Sequence, residues 1–177
     1  MHVGAIAPSS SELAERMVDW LDWESIHCVV EYGPGTGVFT EAVCAHLRPG
    51  TRLIAIERDP ELATITRERC PSATVREGCV TDVVEICRKE GVEKVDAILC
   101  GLPWASFPPE LQDQCLSAMF EILPPGGKFA TFAYWQGLLL PAAWRFRRFL
   151  KDNFATVEQS ATAWRNLPPA FVYRCER

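Results

Sequence analysis

Two acids and three glycines in this chain are spaced to hold a ligand. The run Val29-Val30-Glu31-Tyr32-Gly33-Pro34-Gly35-Thr36-Gly37-Val38-Phe39-Thr40 passes from strand-like into helix-like sequence. Glycines at 33, 35 and 37 permit a tight turn and a close backbone approach, and the helix that follows offers free N–H groups at its start. A dinucleotide loop calls for G-x-G-x-x-G, and Val38 occupies its last required position. The spacing is instead G-x-G-x-G, preceded by Glu31, and an acid there answers an ammonium rather than a pyrophosphate. A second acid, Glu57, follows twenty residues after Gly37 at the end of the next apolar run, with Arg58 beside it. A carboxylate in that position accepts from the hydroxyls of an adenosine ribose.

A ligand with an ammonium at one end and a ribose at the other is S-adenosylmethionine. Glu-x-Gly-x-Gly-x-Gly, with Glu57 and an element leaving a fourth strand, resembles the class I methyltransferases over nearly the whole chain. The resemblance implies that Gly33, Gly35 and Gly37 pass the methionine part, that Glu57 and Arg58 border the ribose, and that Gly101 closes the far side. It also places Glu77-Gly78-Cys79-Val80 against the adenine. Cys79 stands where that family commonly has Asp, so the contact falls to the Val80 backbone or is less direct. Gly4, Pro8 and Ser9 are expected as a lid over the methionine end, or else Ser9 or Ser10 caps a helix.

The methyl acceptor is addressed by three further segments. Strand four exits through Cys100-Gly101-Leu102-Pro103-Trp104. Enzymes that methylate adenine amines carry Asn-Pro-Pro-Tyr or Asn-Leu-Pro-Tyr there, so Gly101 replaces the amine-binding Asn and the nucleobase reading weakens. With Val3–Ser10 and Asn166-Leu167-Pro168-Pro169-Ala170, this exit resembles the bacterial phospholipid N-methyltransferases of the rRNA-adenine-dimethylase-like branch. That resemblance implies an acceptor amine on phosphatidylethanolamine or ornithine lipid. Trp104 and Tyr134, at the ends of expected strands, are candidates to stabilise charge on nitrogen, with ordinary core packing as the alternative. Asn166 either orients the lipid or satisfies the turn before Pro168-Pro169. No histidine falls in these elements and no metal is expected. The lipid enzymes of this resemblance commonly open with a basic amphipathic helix, and the Gly4–Pro8 element so near the start of the sequence leads to the expectation that membrane attachment falls to other elements. Trp144–Lys151, basic and aromatic, is the candidate contact with an anionic membrane surface, or a helix that packs its aromatics inward.

The elements that must position these residues alternate. Apolar runs at 28–31, 52–56, 73–75, 95–100 and 129–134 read as strands buried on both faces. Helix-length segments at 40–47, 60–70, 80–90 and 109–123 separate them, opened by Pro60 and Pro109 and closed by Pro124-Pro125-Gly126-Gly127. A helix from the Ser9–Ser11 cap through Trp23, another near 141–153, and strands near 155–163 and 170–175 complete the pattern. This is an α/β, Rossmann-like class I methyltransferase fold: seven strands, mostly parallel, with helices on both faces. Residues 1–177 form a single domain, with 1–25 as an N-terminal lid and helix segment.

Composition sets the remaining bounds. Eight cysteines without a CxxC pair read as small buried thiols of a cytoplasmic protein, and the N-terminus lacks the pattern of a signal peptide. The net charge is −5, but residues 138–177 carry seven Lys/Arg against three Asp/Glu, so the rest of the chain is −9. That balance disfavours nucleic acid and permits one basic face to lie on the inner side of a membrane. No obligate protein partner is evident. A soluble amine or RNA adenine as acceptor, and a binding module without turnover, are the alternatives to the lipid-amine reading.

Overall fold

The computed structural model describes residues 9–104 and 107–177. Seven strands, β1 (Cys28–Tyr32), β2 (Arg52–Glu57), β3 (Thr74–Glu77), β4 (Ala97–Cys100), β5 (Lys128–Tyr134), β6 (Thr156–Gln159) and β7 (Ala170–Glu176), form one sheet in the order 3-2-1-4-5-7-6. The pairings among β1 to β5 are parallel, and β7 enters antiparallel between β5 and β6. β1 and β4 are buried along their whole length, which is why they carry continuous apolar sequence instead of alternation.

Among the described residues six α-helices cover the faces: α1 (Ser11–Val18), α2 (Val38–Cys44), α3 (Pro60–Arg69), α4 (Val83–Lys89), α5 (Pro109–Ile122) and α6 (Pro141–Asn153). Leu13, Met17 and Val43 of α1 and α2 pack on Val29, Leu99 and Val172, while Ala63 of α3 meets Ala55 and Val75. On the opposite face Cys87, Met119, Phe146 and Leu150 of α4, α5 and α6 pack on Tyr32, Ile98, Phe129 and Tyr173. Proline stands in the first turn of α3, α5 and α6, and Asp59 caps α3 by accepting from the Glu61 and Leu62 N–H groups.

Several boundaries differ from expectation, among them α2, expected at 40–47 and found at Val38–Cys44. The first helix stops at Val18, not Trp23. The segment after β3 opens with a 3₁₀ turn, Val80–Asp82, before α4. The sixth strand ends at Gln159, and only an isolated bridge between Ala163 and Ala170 continues the pairing. The lid residues Gly4 and Pro8 lie outside the described residues. All eight cysteines are free thiols, six of them buried.

Candidate active site

Strand order reverses between β1 and β4, and in an open α/β sheet the crevice beyond the strand ends at that point is where ligands bind. β1 delivers the glycine loop to this edge, β2 delivers Glu57, and β4 delivers Gly101. The loop needs its glycines: Gly33, Gly35 and Gly37 take φ of 66°, 58° and 80°, a region costly to residues with a Cβ. Gly101 is required for a different reason. A Cβ there would lie 2.6 Å from the Gly33 carbonyl oxygen, so the missing Asn leaves no space behind it: backbone fills it.

The loop N–H groups turn inward. Gly33 donates to Ile56 O, Gly37 to Pro34 O, and Gly35 to the Glu57 carboxylate at 3.0 Å. These donors are therefore spent within the protein, unlike a loop built to cradle phosphate. Glu57 also accepts from the Arg58 and Asp59 N–H groups at 2.8 and 3.0 Å. Of the roughly four lone-pair sites on a carboxylate, three are occupied and one is left for a hydroxyl. The expectation that Glu57 accepts from both ribose hydroxyls thus meets a carboxylate whose first task is to lock the loop. Arg58 contributes its backbone here, and its side chain is exposed.

Sequence reading missed the other half of the lock. Thr66 Oγ1 donates to Gly35 O at 2.8 Å, Arg69 Nη1 donates to Thr36 O at 3.2 Å, and the Cys70 thiol faces Gly37 O. One turn at the end of α3 thereby receives three consecutive loop carbonyls. The i, i+3, i+4 spacing of these residues was the available signal, but nothing local pointed across some thirty residues to the loop.

Glu31 is fully buried beneath the loop, and among the described residues neither carboxyl oxygen has a hydrogen-bond partner. Burial pushes its carboxyl up to about 7; Thr40 opposes the rise and the Glu57 carboxylate adds to it. Thr40 was also missed: its buried hydroxyl and its backbone face the Glu31 carboxyl and favour its charged form, although neither makes a well-formed hydrogen bond to it. The linkage has a definite sign. Below the ordinary 4.5 both states hold the proton. Between 4.5 and about 7 the unfolded chain releases it while the folded chain keeps it. The Glu31 contribution to stability is therefore full below that window and lost across it, by on the order of 3 kcal/mol. Glu31→Gln, which mimics the protonated acid, should remove that part of the slope when denaturant midpoints are compared at acid and alkaline pH. An unchanged slope would place the charge in water.

The remaining expected site residues separate. Tyr134 ends β5 half-buried, edge-on to Phe132, and burial raises its phenol pKa, so at neutral pH it keeps its proton. Trp104 instead sits in the core at 2% exposure. Phe146 stacks on its ring at 5.7 Å, Phe129 meets it at a steep angle, and the indole N–H points at Cys100 Sγ at 3.0 Å. The core-packing alternative describes it, because its faces are taken by other aromatics. Asn166 is buried, accepting from Ser10 N–H at 2.8 Å and donating to Pro168 O at 2.7 Å. It pins the start of α1 to the β6–β7 connection, which is turn chemistry extended across the molecule. Ser10, not Ser9, caps α1 through Leu13 N–H. Cys79 is partly buried ahead of the 3₁₀ turn, and the Val80 side chain belongs to the core.

Comparison with known proteins agrees with this architecture. A family model described as a methyltransferase domain matches residues 29–127. An ornithine lipid N-methyltransferase from Singulisphaera acidiphila is 35% identical over 176 residues, covering 98% of this chain and 88% of that protein. A ribosomal RNA small subunit methyltransferase A from Thermotoga petrophila is 37% identical over 68 residues, 38% of this chain and 25% of that protein. Among solved structures, an O-methyltransferase from Bacillus cereus in complex with SAH superposes with a TM-score of 0.68 at 18% identity, over 97% of this chain and 82% of that one.

Proposed function

The chain belongs to the class I S-adenosylmethionine-dependent methyltransferases, and from that premise we propose that it methylates the amine of a membrane-lipid head group of the ornithine lipid or phosphatidylethanolamine kind. The observation that carries the choice of acceptor is the near-full-length similarity to an ornithine lipid N-methyltransferase.

The residues present fit the cofactor. A buried carboxyl with both oxygens unpaired, Glu31, calls for a cationic partner, and Glu57 keeps one acceptor for a hydroxyl. Cys79 and the Val80 backbone, on the same edge as Glu57, would border the adenine. Bound there, S-adenosylmethionine supplies an electrophilic methyl group on a sulfonium. The chain's own task is to strip water from the acceptor amine and aim its lone pair, since a neutral primary amine is already a nucleophile. Tyr134 is the aromatic left at the rim once Trp104 is assigned to the core. Its phenol oxygen accepts a hydrogen bond from the amine, and its ring stabilises the charge that builds on nitrogen. With no general base among these groups, the amine proton leaves to water. Among the described residues no helix is long and apolar enough to cross a membrane.

The test is direct. The purified protein is incubated with methyl-labelled S-adenosylmethionine and detergent micelles of ornithine lipid or phosphatidylethanolamine, and the lipids are extracted. Label on the lipid amine is the expected result. Cofactor binding by calorimetry without label on either lipid would sink the lipid reading and redirect the search to soluble amines.

A further inference from the structure

Among the described residues, seven large apolar side chains are exposed, and six of them gather at one end: Trp135, Leu139, Leu140, Trp144, Trp164 and Leu167. They come from the 3₁₀ turn after β5 (Trp135–Leu139), the start of α6, and the β6–β7 connection. Bonds tie these segments together. Trp135 donates its indole N–H to Thr162 Oγ1 at 3.0 Å and its backbone N–H to Pro169 O at 3.2 Å; the Trp144 indole donates to Leu138 O at 2.7 Å. β5 ends here at Tyr134, paired with Ala170 at the start of β7. Because β1, β2, β4 and β5 run parallel, this is also the edge that carries the glycine loop, Glu57 and Gly101.

α6 explains the chemistry of the patch. Phe146 and Leu150, four residues apart, are buried in the core and fix the helix. Trp144 remains 73% exposed, so the inward-packing expectation holds for Phe146 but not for it. Trp144, Arg147, Arg148 and Lys151 follow the i, i+3, i+4, i+7 spacing of a single face. With Leu138 and Leu139 they line a groove of about 500 Å³, apolar at one end and cationic at the other. Asp152 also lines it, 3.6 Å from Arg148, and leaves the groove net positive. A contiguous apolar patch of this kind marks an interaction surface. Tryptophans beside cations, in the basic part of an otherwise acidic chain, match the boundary of an anionic bilayer.

We propose that this rim docks the protein on an anionic lipid bilayer: the tryptophans and leucines enter the boundary between head groups and acyl chains, and Arg147, Arg148 and Lys151 take lipid phosphates. The inference rests on the lipid-acceptor reading for its purpose, which is to bring a head-group amine to the Tyr134 edge. Flotation of the full chain with vesicles of phosphatidylcholine alone, or of phosphatidylcholine mixed with phosphatidylglycerol, tests it. The expected result is binding to the mixed vesicles only, weakening as salt is raised. Arg147→Glu with Arg148→Glu should lower partitioning at least tenfold, at about fivefold per charge, and Leu139→Ser with Leu140→Ser should do the same at fixed lipid charge. Neither pair belongs to the glycine loop, nor includes Glu57, Gly101 or Tyr134. Cofactor affinity and transfer to micellar lipid should therefore persist, while transfer to lipid in vesicles falls. Flotation that persists when no lipid is methylated in any form would uphold the docking surface and remove the acceptor reading. Wild-type protein that ignores the mixed vesicles, or variants that bind as well as wild type, would overturn the docking surface. So would self-association in place of vesicle binding, lost in the leucine variant.

Discussion

Replacing Glu57 with alanine should lower kcat/KM for methyl transfer by at least 100-fold. The carboxylate holds the Gly35, Arg58 and Asp59 N–H groups at 3.0, 2.8 and 3.0 Å and has one acceptor site left for a ligand hydroxyl. Hydrogen bonds to charged groups contribute about 1.5–3 kcal/mol each. The Arg58 and Asp59 N–H groups are exposed and find water in the variant, so the lasting losses are the part-buried Gly35 bond and the ligand contact. Together these amount to on the order of 3 kcal/mol, equivalent to the expected fall in rate. Glu57→Gln separates the two roles. It keeps one carbonyl oxygen for the loop but places an NH2 where the second oxygen accepted, so a loss nearer tenfold is expected. Kinetics with labelled cofactor, read beside calorimetric affinity, make the comparison. Full activity in Glu57→Ala would remove Glu57 from the site.

Gly101→Ala should be the most damaging single methyl group that can be added to the site. Its Cβ would stand 2.6 Å from Gly33 O, and both partners are backbone: the exit of a fully buried strand and a loop held from two sides. Neither can yield without moving Glu57 or the end of α3. Overpacking of this kind costs about 2 kcal/mol of stability, and the displaced loop should weaken cofactor binding more than tenfold. Gly35→Ala is the informative partner. Beyond its chain neighbours its Cβ would meet no atom of the described residues within 4 Å, and its φ of 58° costs only about 1–2 kcal/mol. If binding of S-adenosylmethionine falls there far beyond what the lost stability predicts, the cofactor passes over Gly35. Equal and small losses at both positions would place it elsewhere.

What could be read from sequence followed from how local the cause was. Strands β1 and β4 announced themselves because burial on both faces demands uninterrupted apolar residues, and the prolines opening α3 and α5 fixed those starts to the residue. The glycine loop and Glu57 were legible because turn geometry and strand ends leave their own spacing. Trp104 stood open between crevice and core for a reason intrinsic to linear reading: a strand end shows that a ring lies near the crevice, but not that Phe146, 42 positions later, covers it. The clamp of Thr66, Arg69 and Cys70 on the loop and the tie from Asn166 to Ser10 were hidden likewise, since each joins segments whose proximity exists only after the sheet has formed.

The position of β7 decides the order in which the protein can be finished. β6 is made earlier, yet among the described residues its only strand neighbour is β7, which follows it. α1, made first, is fastened by the same late residues: Arg165 N–H donates to Glu12, Asn166 accepts from Ser10, and Arg174 pairs with Asp19. Each of these contacts spans more than 150 residues, and closing loops of that length is slow. A nascent chain can therefore assemble β1 to β5 around the cofactor crevice while both its beginning and its sixth strand wait. Emergence of β7, rather than emergence of the crevice, is the event that completes the fold.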